Sequence, residues 1–98
     1  MTKLEIVNSI SDKIGVERVD VHAVVEAFMH EVKNSLSSGE DVFLRGFGSF
    51  IVKQRAQKTG RDISKNTTII IPAHNVPAFK PSKEFINKVK INVQLAEH

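Results

Sequence analysis

Thirteen consecutive residues, Lys53 to Lys65 (KQRAQKTGRDISK), offer almost nothing that a core could use. They carry five cations, Lys53, Arg55, Lys58, Arg61 and Lys65, against one anion, Asp62. Strand-like segments flank them, FGSFIV before and TTIIIPA after, and Thr59-Gly60-Arg61-Asp62 reads as a turn signal. The pattern predicts a two-stranded ribbon over about residues 53–75 that leaves the body of the protein, positively charged and without a hydrophobic face. Such a ribbon gains little by folding back on its own domain. It makes sense if the missing half of its surface is an anionic polymer, which points to nucleic acid.

The rest of the chain must supply the core. Ninety-eight residues allow one domain, taken as 1–98. Once a ribbon of about 20 residues is set aside, fewer than about 80 remain, a size at which chains often gain stability by oligomerising. Trp and Tyr are absent, so the six Phe (28, 43, 47, 50, 79 and 85) supply most of the large apolar volume.

Charge is placed unevenly. Residues 1–40 hold four cations and seven anions, a balance of −3, and residues 41–98 hold ten cations and four anions, a balance of +6. One part can face phosphates while the other stays neutral enough to pack, although a charge excess taken alone is better read as a solvated lysine face. The absence of Cys excludes disulfides, thiolate chemistry and Cys-based zinc sites, and it fits a reducing compartment. The N-terminus has no apolar run long enough for a signal peptide, and no segment has the length needed to span a bilayer. The default expectation is a soluble, cytoplasmic protein with no membrane partner.

Three helices are expected. Thr2-Lys3-Leu4-Glu5 has capping-box spacing, and Leu4, Ile6, Val7, Ile10 and Ile14 follow before Gly15, predicting a helix over about 3–14. A second should run from about 18 to 37, closed by Ser38-Gly39 but without a strong N-cap. Its stripe of Val21, Val24, Val25, Phe28, Val32 and Leu36, widened by Ala23, Ala27 and Met29, is broad enough to be buried on two sides, as in a dimer core. Val42-Phe43-Leu44 and Phe47 to Val52 read as strands joined by a tight turn near Arg45-Gly46. The return leg, Thr67 to Ile71 and Ala73 to Phe79, contains Pro72 and Pro77 and so belongs at an edge or a bulge. Pro81-Ser82 opens a last helix with Phe85, Ile86, Val89 and Val93 on one face, and the tail from about 92 to 98 carries weak signals.

Gly46-Phe47-Gly48-Ser49-Phe50, Arg55, Thr59-Gly60-Arg61 and Asn75-Val76-Pro77-Ala78-Phe79-Lys80-Pro81 resemble the signature of the HU/IHF family of bacterial histone-like, nucleoid-associated DNA-binding proteins. The likeness runs without gaps over about the first 90 residues. It implies an α+β fold: a helical base of two N-terminal helices, a three-stranded antiparallel sheet with a long β-ribbon arm, and a C-terminal helix. It also implies an intertwined dimer, homodimeric or heterodimeric, whose arms bind the minor groove of double-stranded DNA and bend or compact it. The family's arm tip commonly reads Arg-Asn-Pro, the proline wedging between base pairs. Here Arg61 is kept, Asp62 replaces the amide and Ile63 replaces the proline. Ile is an apolar side chain able to act as such a wedge, but it lacks the fixed φ of proline. Asn66 stands where many members have Gly, and Asn tolerates positive φ.

The DNA-binding residues expected on these grounds are Lys3, Lys53, Arg55, Lys58, Arg61, Ile63, Lys65, Asn75, Lys80 and Lys83. Lys3 and Lys83 lie near helix starts, where the dipole already favours phosphate. Either could equally be a solvated surface lysine, and Lys3 could pair with Glu26. Gly46 and Gly48 read as structural. His22, Glu26 and His30 fall at i, i+4 and i+8, a metal-like spacing, but no fourth ligand is evident and the stripe lies on a solvent-facing flank. No Ser–His–Asp set and no Gly-rich phosphate loop is present. No catalytic residue, cofactor or metal is expected. A second reading is a structural or interaction module that keeps this fold and binds DNA weakly, for which Asp62 and the missing proline are the only support. Whether binding is general, as in HU, or site-specific, as in IHF, stays open, because indirect readout depends on DNA deformability.

Overall fold

The structure, a computed structural model, describes residues 1–62 and 64–95. The chain begins with α1 (Lys3–Ile14) and α2 (Arg18–Ser37). The Thr2 hydroxyl accepts the Glu5 N–H at 3.2 Å, the first half of the expected cap. Gly15 ends the helix, its N–H bonded to the Ser11 carbonyl. Glu17 precedes α2 without a side-chain cap. The two helices pack on each other around Val7 and Val21, the two buried apolar side chains among the described residues. Lys3 closes the same helix pair from outside through an ion pair with Glu26.

A three-stranded antiparallel sheet follows, in the order β1 (Val42–Leu44), β2 (Gly48–Arg55), β5 (His74–Pro81). The turn at 45–47 is closed by the Phe47 N–H on the Leu44 carbonyl, and Gly46 there holds φ 80°, a left-handed conformation costly to other residues. Gly48 is fixed by space: a Cβ there would lie 2.6 Å from the Lys80 carbonyl oxygen and 2.6 Å from Phe79 Cζ. That close approach lets Phe47, Phe50, Phe79 and Phe85 cluster, with ring centroids 4.9–6.2 Å apart. Asp41 accepts the Val52 N–H at 3.0 Å and so ties the end of β1 to β2. β5 is an edge strand, which accommodates Pro77 and Pro81. Ser82 then caps α3 (Lys83–Asn92) by accepting the Phe85 N–H.

Beyond Arg55 and before His74 the chain forms the expected ribbon, β3 (Lys58–Asp62) paired with β4 (Thr67–Ile71). Arg55 faces His74 and Lys58 faces Ile71, so two residues separate the ladders on each side and no residue is inserted. The gap falls at Pro72, which has no N–H to give.

Two expectations are corrected. Thr59 to Asp62 is strand, with Gly60 opposite Ile69, and the turn lies further on, at 64–66. Asp62 sets its position by accepting from the Ser64 N–H at 3.1 Å and hydroxyl at 2.7 Å, and Asn66 completes it at φ 52°. Nor is the ribbon free of apolar surface. Its outgoing strand is basic, but the return strand exposes Ile69, Ile70 and Ile71. Ile63 and the tail residues 96–98 lie outside the described residues.

The chain alone is far from compact. Its radius of gyration is 19.1 Å, against about 13 Å for a globule of this length. Its accessible surface is 8636 Å², against about 5,600 Å² for a compact monomer of this mass. Besides the ribbon, the excess comes from apolar side chains left open: Val24 is 68% exposed and Phe28 44% on α2, and Phe43 is 74% exposed on β1. An apolar cleft of about 580 Å³ runs between α2 and the sheet, lined by Val32, Leu36, Phe50, Val52 and Pro77.

Candidate nucleic-acid interface

Side-chain alternation sorts the sheet into two faces. The ladder pairs Ser49 with Lys80, Val76 with Lys53 and His74 with Arg55. Directly opposed residues project to the same side. Lys53, Arg55, His74 and Lys80 therefore share one face. The other carries Phe50, Val52, Pro77 and Phe79, and it lines the cleft against α2. The cationic face is thus turned away from α2. Neither β2 nor β5 contains a carboxylate, so nothing within these two strands neutralises it.

At one end this face runs into a shallow basin of about 630 Å³ whose lining includes Arg45, Ser49, Lys80 and Lys83. Lys83 is the first residue of α3. Arg45 was not among the expected site residues. It sits in the turn before Gly46 and reads locally as a turn residue; only the folded sheet brings it beside Lys80 and Lys83. At the other end the face passes the gap into the ribbon. Lys58 and Arg61 lie in β3 and Lys65 in the tip turn, all exposed.

The tip is held by its own polar groups. Arg61 Nη2 donates to Asn66 Oδ1 at 2.9 Å, across the turn. The Ser64 hydroxyl, helped by the Ser64 and Lys65 N–H groups, holds the Asp62 carboxyl below its ordinary range. Asp62 is thereby a turn-forming residue, which accounts for an acidic side chain in a basic ribbon.

Two expected residues stand apart. Asn75 lies opposite Gln54 on the reverse face and lines the apolar cleft. Lys3 is engaged with Glu26, and that hydrogen bond holds the Glu26 carboxyl below its ordinary range. Ile63 lies outside the described residues. His22 approaches Glu26 at 3.8 Å on the exposed flank of α2, and among the described residues no three His, Asp or Glu side chains gather as a metal site would need. No helix there is long and apolar enough to cross a membrane.

Comparison with known proteins agrees with this geometry. The profile of the family described as "Bacterial DNA-binding protein" matches residues 1–90. A DNA-binding protein HU of Thermus thermophilus is 39% identical over 90 residues, covering 92% of this chain and 93% of that one. Integration host factor subunit alpha of Proteus mirabilis is 37% identical over 90 residues, covering 92% of each. The fold is similar to that of HU in an Anabaena HU–DNA cocrystal structure, with a TM-score of 0.87 and 38% identity over 91% of this chain and 97% of that chain. A match over nearly the whole length, in sequence and in fold, shows that the chain belongs to the HU/IHF family of bacterial DNA-binding proteins.

Proposed function

We propose that this protein is an architectural DNA-binding protein that lays the duplex along its cationic sheet face and wraps it with the basic ribbon in the minor groove, bending or compacting it. The observation that carries this reading is the unbroken β2–β5 ladder, in which Lys53, Arg55 and Lys80 share the sheet face turned away from α2. Lys58, Arg61 and Lys65 extend it along the ribbon, and Arg45 and Lys83 extend it at the opposite end. Their chemistry is charge neutralisation and hydrogen bonding to phosphate, which needs no reactive centre. No catalytic step is assigned. Ile63 is the candidate wedge. The place of work is the cytoplasm, on the nucleoid.

The working unit is a dimer of single-domain chains. The open apolar face of α2, the cleft beside it and the surplus of accessible surface all support this, because a second copy can cover them with the same residues. Light scattering at micromolar concentration should give twice the chain mass.

A salt titration tests the DNA reading. The logarithm of affinity for plain duplex should fall with log[salt] at a slope near −0.9 per phosphate neutralised. Arg55→Ala should flatten that slope by about one unit, or about two if both arms of a dimer engage. Nicked or pre-bent duplex should bind more tightly than intact duplex, because part of the deformation cost is already met. Affinity that stays flat with salt contradicts the reading.

A further inference from the structure

We propose that His74 is a further DNA-contact residue, one that adds a positive charge to the binding face only when its imidazole is protonated. The inference rests on the DNA-binding reading above and adds a site to it.

His74 forms the last pair of the body ladder, directly opposite Arg55, at the point where the ribbon leaves the sheet. Its side chain therefore shares the face of Arg55, Lys53 and Lys80, and it is exposed. Its Nδ1 lies 3.0 Å from the Pro72 carbonyl oxygen. A carbonyl can only accept, so Nδ1 carries the hydrogen and Nε2 is left to face solvent. In the neutral ring Nε2 is an acceptor, which a phosphate oxygen does not complement. Once protonated it is a charged donor, which a phosphate does complement. The Pro72 contact thus favours the tautomer with the hydrogen on Nδ1 and leaves Nε2 as the nitrogen available to a phosphate.

The surroundings favour this use. On this face the ionisable groups are Arg55 opposite it and Lys53 further along β2, with Lys80 at the far end of β5. Beyond the gap the first is Lys58 on β3, and Lys33 of α2 lies across the sheet beside the apolar cleft. All are cations; the carboxylate bonded to β2, Asp41, accepts the Val52 N–H from the β1 side, across β2 from the strand that carries His74, so none of these groups is placed as the counterion of an imidazolium. A phosphate can serve as one, and DNA binding would then take up a proton at this position. Binding should tighten as the imidazole gains its second proton.

The test is the salt dependence of binding to one plain duplex at about pH 8 and about pH 5.5, for the wild-type protein, His74→Gln and His74→Lys. His22 and His30 are present in all three proteins, so differences between them report on position 74. For the wild type the log–log slope should steepen by about 0.9 per arm between the two pH values beyond any change seen in His74→Gln. His74→Lys, a permanent cation, should show at about pH 8 the slope the wild type reaches only at about pH 5.5. Equal pH responses in wild type and His74→Gln overturn the proposal. So does a His74→Lys slope at high pH that matches the wild type's at the same pH. A wild type that fails to bind duplex at either pH contradicts the DNA-binding reading itself, which is a different result.

Discussion

The body sheet and the ribbon are built from the same antiparallel pairing, and they differ in what stands behind it. β2 and β5 are backed by four phenylalanines and by α2. Among the described residues β3 and β4 are held by their ladder and the side-chain bonds of the tip, and Ile69, Ile70 and Ile71 are exposed. An isolated two-stranded ribbon is marginal in water. The body can therefore hold cations in fixed places before DNA arrives, whereas the ribbon must acquire the other half of its surface from the partner it wraps. Cations in the two regions should contribute in different ways, the body ones by position and the ribbon ones by coupled ordering.

Truncation separates the two regions most strongly. Phe79→Ala, which removes the ring shared by Phe47, Phe50 and Phe85 at a residue 38% exposed in the single chain, should cost about 2 kcal/mol in chemical denaturation. Ile70→Ala, at a residue 63% exposed, should cost no more than about 0.5 kcal/mol. It should still weaken DNA binding if the ribbon's apolar strand contacts the groove. Comparable destabilisation by both substitutions would show that the ribbon is part of the folding unit.

A smaller effect lies at the tip. Asp62→Asn keeps an acceptor for Ser64 and removes a charge that repels phosphate, so DNA affinity should rise modestly, by about twofold to fivefold for a surface term below about 1 kcal/mol. Asp62→Ala removes the charge and the turn bonds together, and it should gain less or lose affinity. If Ala improves binding as much as Asn does, the turn role assigned to Asp62 is wrong. Ile63→Ala probes the wedge at the same tip and should reduce DNA bending, followed by end-to-end energy transfer, more than it reduces phosphate-driven affinity.

The smallest effect is in the helical base. Glu26 has a carboxyl held below its ordinary range by the Lys3 hydrogen bond. A depressed folded value means that the contribution is present above the ordinary carboxylate range and is lost as pH falls through the lowered one. Between neutral and mildly acid pH the clasp should stay closed. In an NMR titration of the Glu26 side chain, Lys3→Ala should move the midpoint upward. An unmoved midpoint would mean that the ion pair does not persist in solution.

Much of the fold was legible because its signals are local. The Thr2 and Ser82 caps, the Gly15 stop and the prolines of an edge strand each act within a few residues. The tip was misplaced because Thr-Gly-Arg-Asp carries turn chemistry by composition, whereas the bonds that decide it run from Asp62 to Ser64 and from Arg61 to Asn66. The cationic surface was legible where it is a run of charge, at Lys53 to Lys65. It was not legible where it depends on pairing across the sheet. Arg45 joins Lys80 and Lys83 only after the turn at 45–47 folds beside α3. His74 meets Arg55, and Asn75 turns to the other face, only through a register that no local pattern states.

Amide hydrogen exchange, read with and without a plain duplex, puts the contrast between the two regions to a direct test. Without DNA, amides of Lys58–Asp62 and Thr67–Ile71 should exchange fast while those of β2 paired with β5 exchange slowly. Adding duplex should slow the ribbon amides by orders of magnitude and leave the body amides nearly unchanged. A ribbon already as protected as the body without DNA, or one that stays unprotected on saturating duplex, would contradict the idea that DNA completes it.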